Sequence, residues 1–166
     1  MKKNLVFGIT TFMLALLSIA TISSCSTDKC KGVTCQNGGT CNDGTCACAT
    51  GYEGANCQTR VNAKFAGTYT GSTPCEPNVV ALGITAATAS PLIITIEYLE
   101  SAGTWVELEA TVSGNTITIS PQAKNITGNN YTVDGSGTLS GNNITLTITL
   151  DDGTGSPSPC NFTGTK

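Results

Sequence analysis

The sequence predicts an all-β chain in two parts: a small disulfide-rich module, then an antiparallel up-and-down β-barrel or sandwich. Three observations predict it. Six of the nine cysteines fall between Cys30 and Cys57. From Lys64 to Lys166 apolar and polar residues alternate with period two, in segments that recur about every ten residues. The connections between those segments, such as Ser113-Gly114-Asn115 and Ser140-Gly141-Asn142-Asn143, are short and rich in turn formers.

The first element is a leader. Met1-Lys2-Lys3 supplies positive charge, and Leu5 to Ala20 is largely apolar, which is the layout of a signal peptide over residues 1–24. The run ends Thr21-Ile22-Ser23-Ser24-Cys25, small residues before a cysteine with an aliphatic residue ahead of them. This junction resembles the lipobox of bacterial lipoproteins. The resemblance implies cleavage before Cys25 and a diacylglycerol on its thiol, with residues 25–29 as a lipidated tether. Each buried methylene contributes about 0.8 kcal/mol, so two or three acyl chains hold a small protein on a membrane durably. By resemblance to lipoprotein sorting in Gram-negative bacteria, Ser26 after the anchor leans the address toward the outer membrane, on its periplasmic or its outer face. The expected location is therefore the cell envelope, and the first expected partner is the membrane itself.

The second element reads Cys30-KGVT-Cys35-QNGGT-Cys41-NDGT-Cys46-A-Cys48-ATGYEGAN-Cys57. Tyr52 is its only aromatic residue, so the segment cannot bury enough surface to fold unaided. Three cross-links, each worth roughly 2–4 kcal/mol, would restrict the unfolded chain instead. Gly38-Gly39, Asp43-Gly44 and Gly51 provide turns. Six cysteines permit many pairings, and spacing alone does not choose among them. The segment closely resembles the EGF-like family, above all in Cys46-Ala47-Cys48, Gly51-Tyr52, Gly54 and Cys57. That resemblance implies the pairs Cys30–Cys41, Cys35–Cys46 and Cys48–Cys57, and a role as spacer or interaction surface. A zinc site is the competing reading, but an oxidising compartment and the lack of histidine disfavour it. The calcium-binding variety of the family needs grouped acidic residues before the first cysteine. Here only Asp28 precedes Cys30, so no metal is expected.

Gln58 to Ala63 reads as a short polar linker, and residues 64–166 as one β domain. The expected strands are Phe65–Gly71, Leu92–Leu99, Trp105–Val112, Thr116–Ser120, Tyr131–Leu139, Ile144–Leu150 and Cys160–Thr165. Asn78–Ala86 is ambiguous between a strand and a helical turn. Within them Ile94 and Ile96, then Val106, Leu108, Ala110 and Val112, then Ile144, Leu146 and Ile148 share faces that point to one core. Seven or eight such strands must hide their edges by closing into a barrel or folding into a sandwich. Cys75 and Cys160 follow the first strand and open the last, so a Cys75–Cys160 bond would tie the meander's ends together. With Cys25 lipidated and six cysteines in the module, the odd count is then resolved.

The chemistry-bearing residues are sparse. Charged residues make up 11% of the chain and there is no histidine, which excludes a Ser-His-Asp or Cys-His arrangement. With Lys2 and Lys3 set aside, six scattered basic residues face eleven acidic ones, a balance unsuited to nucleic acid. Glu107 and Glu109 share one strand face and read as a solvated wall, since an acid–base pair normally flanks a cleft from different elements. Asp151-Asp152-Gly153 reads as a hairpin tip, and Gly135-Ser136-Gly137 lies within a strand and is not a phosphate loop. Asn125, Asn143 and Asn161 head glycosylation sequons that carry no weight in a bacterial lipoprotein. Trp105, on the polar face of its strand, is the candidate recognition aromatic. Lys64-Phe65-Ala66-Gly67-Thr68-Tyr69 faintly resembles the opening of lipocalin-like barrels, although the tryptophan of that motif is absent. The expectation is a non-catalytic envelope protein without cofactor, whose β domain meets a protein or glycan partner. The alternative is a lipocalin-like carrier of a small apolar ligand.

Overall fold

The computed structural model describes residues 28–99 and 105–166; the side chains at 76–79, 99 and 105 fall outside that description. The leader and Cys25 lie outside the described residues.

The N-terminal unit is built on two short hairpins and three disulfides. Strands β1 (Thr40–Asn42) and β2 (Thr45–Ala47) pair across a tight turn at Asp43-Gly44, both with positive φ, as a two-residue hairpin of this hand requires. Strands β3 (Tyr52–Glu53) and β4 (Thr59–Arg60) form the second hairpin. The bonds Cys30–Cys41, Cys35–Cys46 and Cys48–Cys57 cross-link the unit. Cys57 is fully buried.

The remaining strands form one closed antiparallel barrel. In chain order they are β5 (Gly67–Thr73), β6 (Glu76–Ala86), β7 (Ile93–Leu99), β8 (Trp105–Ser113), β9 (Thr116–Ile126), β10 (Asn129–Ser140), β11 (Asn143–Asp151) and β12 (Ser158–Thr165). Each pairs with its neighbours in sequence, and β12 returns to pair with β5, so the meander closes on itself. Closure removes sheet edges, which an open eight-stranded meander would leave as unpaired backbone. The ambiguous segment 78–86 is strand, because it is hydrogen-bonded on both sides, by β5 and by β7.

An eight-stranded barrel has an interior just wide enough for side chains to fill. Here Tyr69, Ile94, Ile96, Leu108, Ile117, Val133 and Ile144 have no exposed surface at all, so the space between them holds no water-sized void. Two glycines make this packing fit. A Cβ on Gly137 would collide with Leu146 Cδ2, and one on Gly164 with the ring of Phe162. In both cases the neighbouring side chain lies over bare backbone, which lets the small barrel take large apolar groups.

Two departures from the expected strands have local causes. Phe65, expected to open the first strand, is buried and ends a 3-10 helix (Val61–Phe65), and β5 starts only at Gly67. Strand β9 continues to Ile126 past Pro121, where its register against β10 shifts. Proline has no N–H for the ladder, and β8 and β9 pair only over Thr111–Ser113 and Thr116–Thr118. Above that point the side-chain amide of Gln122 replaces a strand. It donates to the Glu109 carbonyl at 2.8 Å and accepts from the Glu109 N–H at 3.2 Å.

Candidate functional site

The two ends of the barrel differ in construction, and that difference locates the candidate site. The chain reaches the barrel at the end formed by the β6–β7, β8–β9 and β10–β11 connections, here called the proximal end. Of residues 58–63, expected to be a polar linker, Thr59–Arg60 form β4 and Val61–Ala63 open the 3-10 helix that closes this end. Val61, Asn62 and Phe65 of the 3-10 helix are buried beneath it. Asn62 is 1% exposed, and its amide donates to the carbonyls of Ala87 (3.1 Å), Ser90 (2.8 Å) and Ile93 (2.9 Å), satisfying the backbone of the β6–β7 loop. Among the described residues its Oδ1 has no partner, nor has the buried Nε of Arg60. The Tyr69 hydroxyl donates to the Phe65 carbonyl at 2.9 Å. Lys166 Nζ donates to the carbonyls of Lys64 and Ala66 and stands 5.1 Å from the Tyr69 ring centre.

The disulfide-rich unit is fastened to the same end. The Val61 N–H donates to the Gly51 carbonyl and that of Asn62 to the Pro91 carbonyl, at 2.9 and 3.0 Å. Arg60 Nη2 donates to the Thr88 carbonyl at 2.9 Å, and Lys64 pairs with Glu53 at 3.0 Å. Pro91 lies so close to Gly51 that a Cβ there would meet its ring. These contacts lock the unit onto the barrel along two successive segments.

The distal end is formed by the β5–β6, β7–β8, β9–β10 and β11–β12 connections. The bond Cys75–Cys160 joins the β5–β6 turn to β12 there. The Thr73 hydroxyl and Cys160 Sγ are 3.0 Å apart. The inward side chains are less covered at this end: Val80, Tyr98, Tyr131 and Leu150 are only partly buried against the core. An open pocket of about 330 Å³ lies against Tyr131 and Leu150, lined also by Ile126 and Thr127, by Asp152 and Ser156 of the β11–β12 loop, by Ser158 of β12, and by the disulfide. Its size is at the lower end of the range for small-molecule sites. Asp152 Oδ1 accepts from the Thr154 N–H (2.9 Å) and hydroxyl (2.6 Å). The Thr154 hydroxyl, more than any other group, holds the Asp152 carboxyl below its ordinary range, so it is ionised at neutral pH.

The sequence-derived candidates fall as follows. Each of the eight cysteines from Cys30 to Cys160 is bonded as described. Trp105 opens β8 at the distal end, paired with Leu99, and its side chain lies outside the described residues. Glu107 and Glu109 are exposed on the outer wall, and Glu107 stands directly across from Glu97 on β7. Glu109 borders a shallow depression of about 220 Å³ at the β8–β9 gap, whose lining does not include Glu107. Asp151 and Asp152 cap the turn that follows β11. Among the described residues no three His, Cys, Asp or Glu side chains are grouped to hold a metal ion.

The distal pocket was not legible beforehand. In the sequence Tyr131 and Leu150 mark only the ends of expected strands. The available signal was their place at strand ends, beside Thr127-Gly128 and beside the polar connection of residues 152–157. No protein family, curated protein or solved structure matches this chain.

Proposed function

We propose that this chain is a non-catalytic lipoprotein of the bacterial cell envelope, held on the outer membrane by acyl chains on Cys25. In this reading the EGF-like module at Cys30–Cys57 is a spacer, and the barrel presents its distal end to a protein or glycan partner. The observation that carries the reading is the asymmetry of the barrel. The end through which the chain arrives from the anchor is sealed by the 3-10 helix and by the disulfide-rich unit. The opposite end, farthest along the molecule from that point, keeps partly exposed apolar side chains and a pocket. A rigid connection suits a spacer, since it spends no ordering entropy when a partner binds. The packed interior weighs against the carrier reading, which needs an apolar cavity inside the barrel.

The anchor is tested by Cys25→Ser and cell fractionation. The variant should accumulate as a larger, unprocessed species or appear in the soluble envelope fraction. A variant that stays in the membrane and migrates as the mature lipoprotein would overturn the assignment.

A further inference from the structure

The distal pocket has two unlike halves, and together they specify a class of ligand. Ile126, Tyr131, Leu150 and the Cys75–Cys160 bond make an apolar floor with one aromatic ring. Thr127, Ser156, Ser158 and Asp152 make a rim of three hydroxyls and one carboxylate. The hydroxyls of Tyr131, Ser156 and Ser158 have no hydrogen-bond partner among the described residues. Both bonds from Thr154 fall on Asp152 Oδ1, which holds the carboxylate in place.

From this geometry we infer that the pocket binds a neutral saccharide unit. This rests on the reading of the barrel's distal end as the presented surface, and names what that surface takes. A sugar ring has C–H faces that pack on an aromatic or aliphatic floor. Its edge hydroxyls both donate and accept. Hydroxyls donating to a carboxylate form short, strong hydrogen bonds, and a carboxylate already oriented by its turn loses little freedom on binding. An anion is disfavoured because Asp152 is ionised, Asp151 adjoins it, and no lysine or arginine lines the pocket. A fatty ligand would bury the rim's hydroxyls without partners.

One backbone feature supports a functional reading of this mouth. Thr127 adopts φ 49° in the β9–β10 turn. A β-branched residue is rare there, where asparagine or glycine would sit without strain. Such strain clusters at binding sites, where the side chain is held for another purpose. Here it places a threonine on the rim of the pocket.

The test is an NMR titration of the full mature protein in detergent with chitotriose, maltotriose and mannotriose as separate probes. Trigalacturonate serves as the anionic comparison and choline as the cationic one. At least one neutral trisaccharide should produce saturable amide shifts centred on Ile126, Thr127, Tyr131, Leu150, Asp152 and Ser158. Tyr131→Ala should weaken its binding about 10-fold or more, and Asp152→Asn, on the exposed rim, several-fold. Shifts centred elsewhere on the barrel, tighter binding of trigalacturonate or choline, or no saturable shift with any trisaccharide would each overturn the site. The Cys25→Ser fractionation result is independent of these outcomes, so the saccharide site can fail while the anchored, presenting role stands.

Discussion

The two ends of the barrel use the same strands to opposite effect. At the proximal end one buried amide, Asn62, bonds to three backbone carbonyls, and a tyrosine hydroxyl and a lysine secure the incoming chain. The buried exceptions among the described residues are Asn62 Oδ1 and Arg60 Nε. At the distal end a covalent bond replaces that network, and the groups around it stay available. Tyr131 and Leu150 are partly exposed, and the Ser156 and Ser158 hydroxyls have no partner among the described residues. The contrast shows two ways of closing a small barrel. Non-covalent plugging occupies the barrel mouth, whereas a disulfide at the rim holds the strands together and leaves the mouth open. A protein that must be stable and still offer a concave surface gains from using one device at each end.

The largest effect should come from removing the distal device. Cys75 and Cys160 are separated by 85 residues, and cross-linking a loop of this length stabilises by about 4 kcal/mol in the chain-entropy model. A Cys75→Ala/Cys160→Ala double variant should unfold at clearly lower temperature, while its far-ultraviolet circular dichroism under mild conditions stays that of the barrel. An unchanged midpoint would mean that the β5–β12 pairing and the proximal plug already suffice.

A smaller loss, about 2 kcal/mol, is expected from Asn62→Ala, because the Ala87 and Ser90 carbonyls would lose their side-chain partner while the Ile93 carbonyl keeps the Ala87 N–H. Urea unfolding measures it. Hydrogen exchange sharpens the comparison: protection should fall at Ala87 and Ile93 and at the Asn62 contacts with Pro91, but not around Cys160. Equal loss at both ends would show that the ends are not separate stabilising units.

The smallest effect should be a gain. Thr127→Asn relieves a strained left-handed conformation and should stabilise the protein by about 1 kcal/mol. Thermal unfolding reads the gain directly. A loss of stability instead would mean that the threonine hydroxyl, which donates to the Ile126 carbonyl at 2.8 Å, matters more than the backbone strain.

Much of this architecture could be read before any coordinates. Strands β7, β8 and β11 were legible because one face of each is buried and the other is wet, which writes period two into the sequence. Residues 58–63 were not legible. Gln58, Thr59, Arg60 and Asn62 look solvated, and Asn62 is buried only because loop carbonyls some thirty residues away need its amide. The β8–β9 gap was hidden for a similar reason. Pro121 announces a break in β9, but nothing local says that Gln122 will bridge to Glu109.

By itself, then, the sequence determined the all-β class, the division into a cross-linked module and a strand-rich domain, and the inward and outward faces of most strands. These depend on composition and short-range periodicity, which each segment carries alone. Only the tertiary structure decided that the meander closes with β12 on β5, that the apparent linker is a plug, and that the two ends differ. It also decided where Tyr131, Leu150, Asp152 and Ser158 meet. Those outcomes depend on which distant backbone groups are left unpaired when the barrel closes. That is set by the geometry of all eight strands together, and no single segment encodes it.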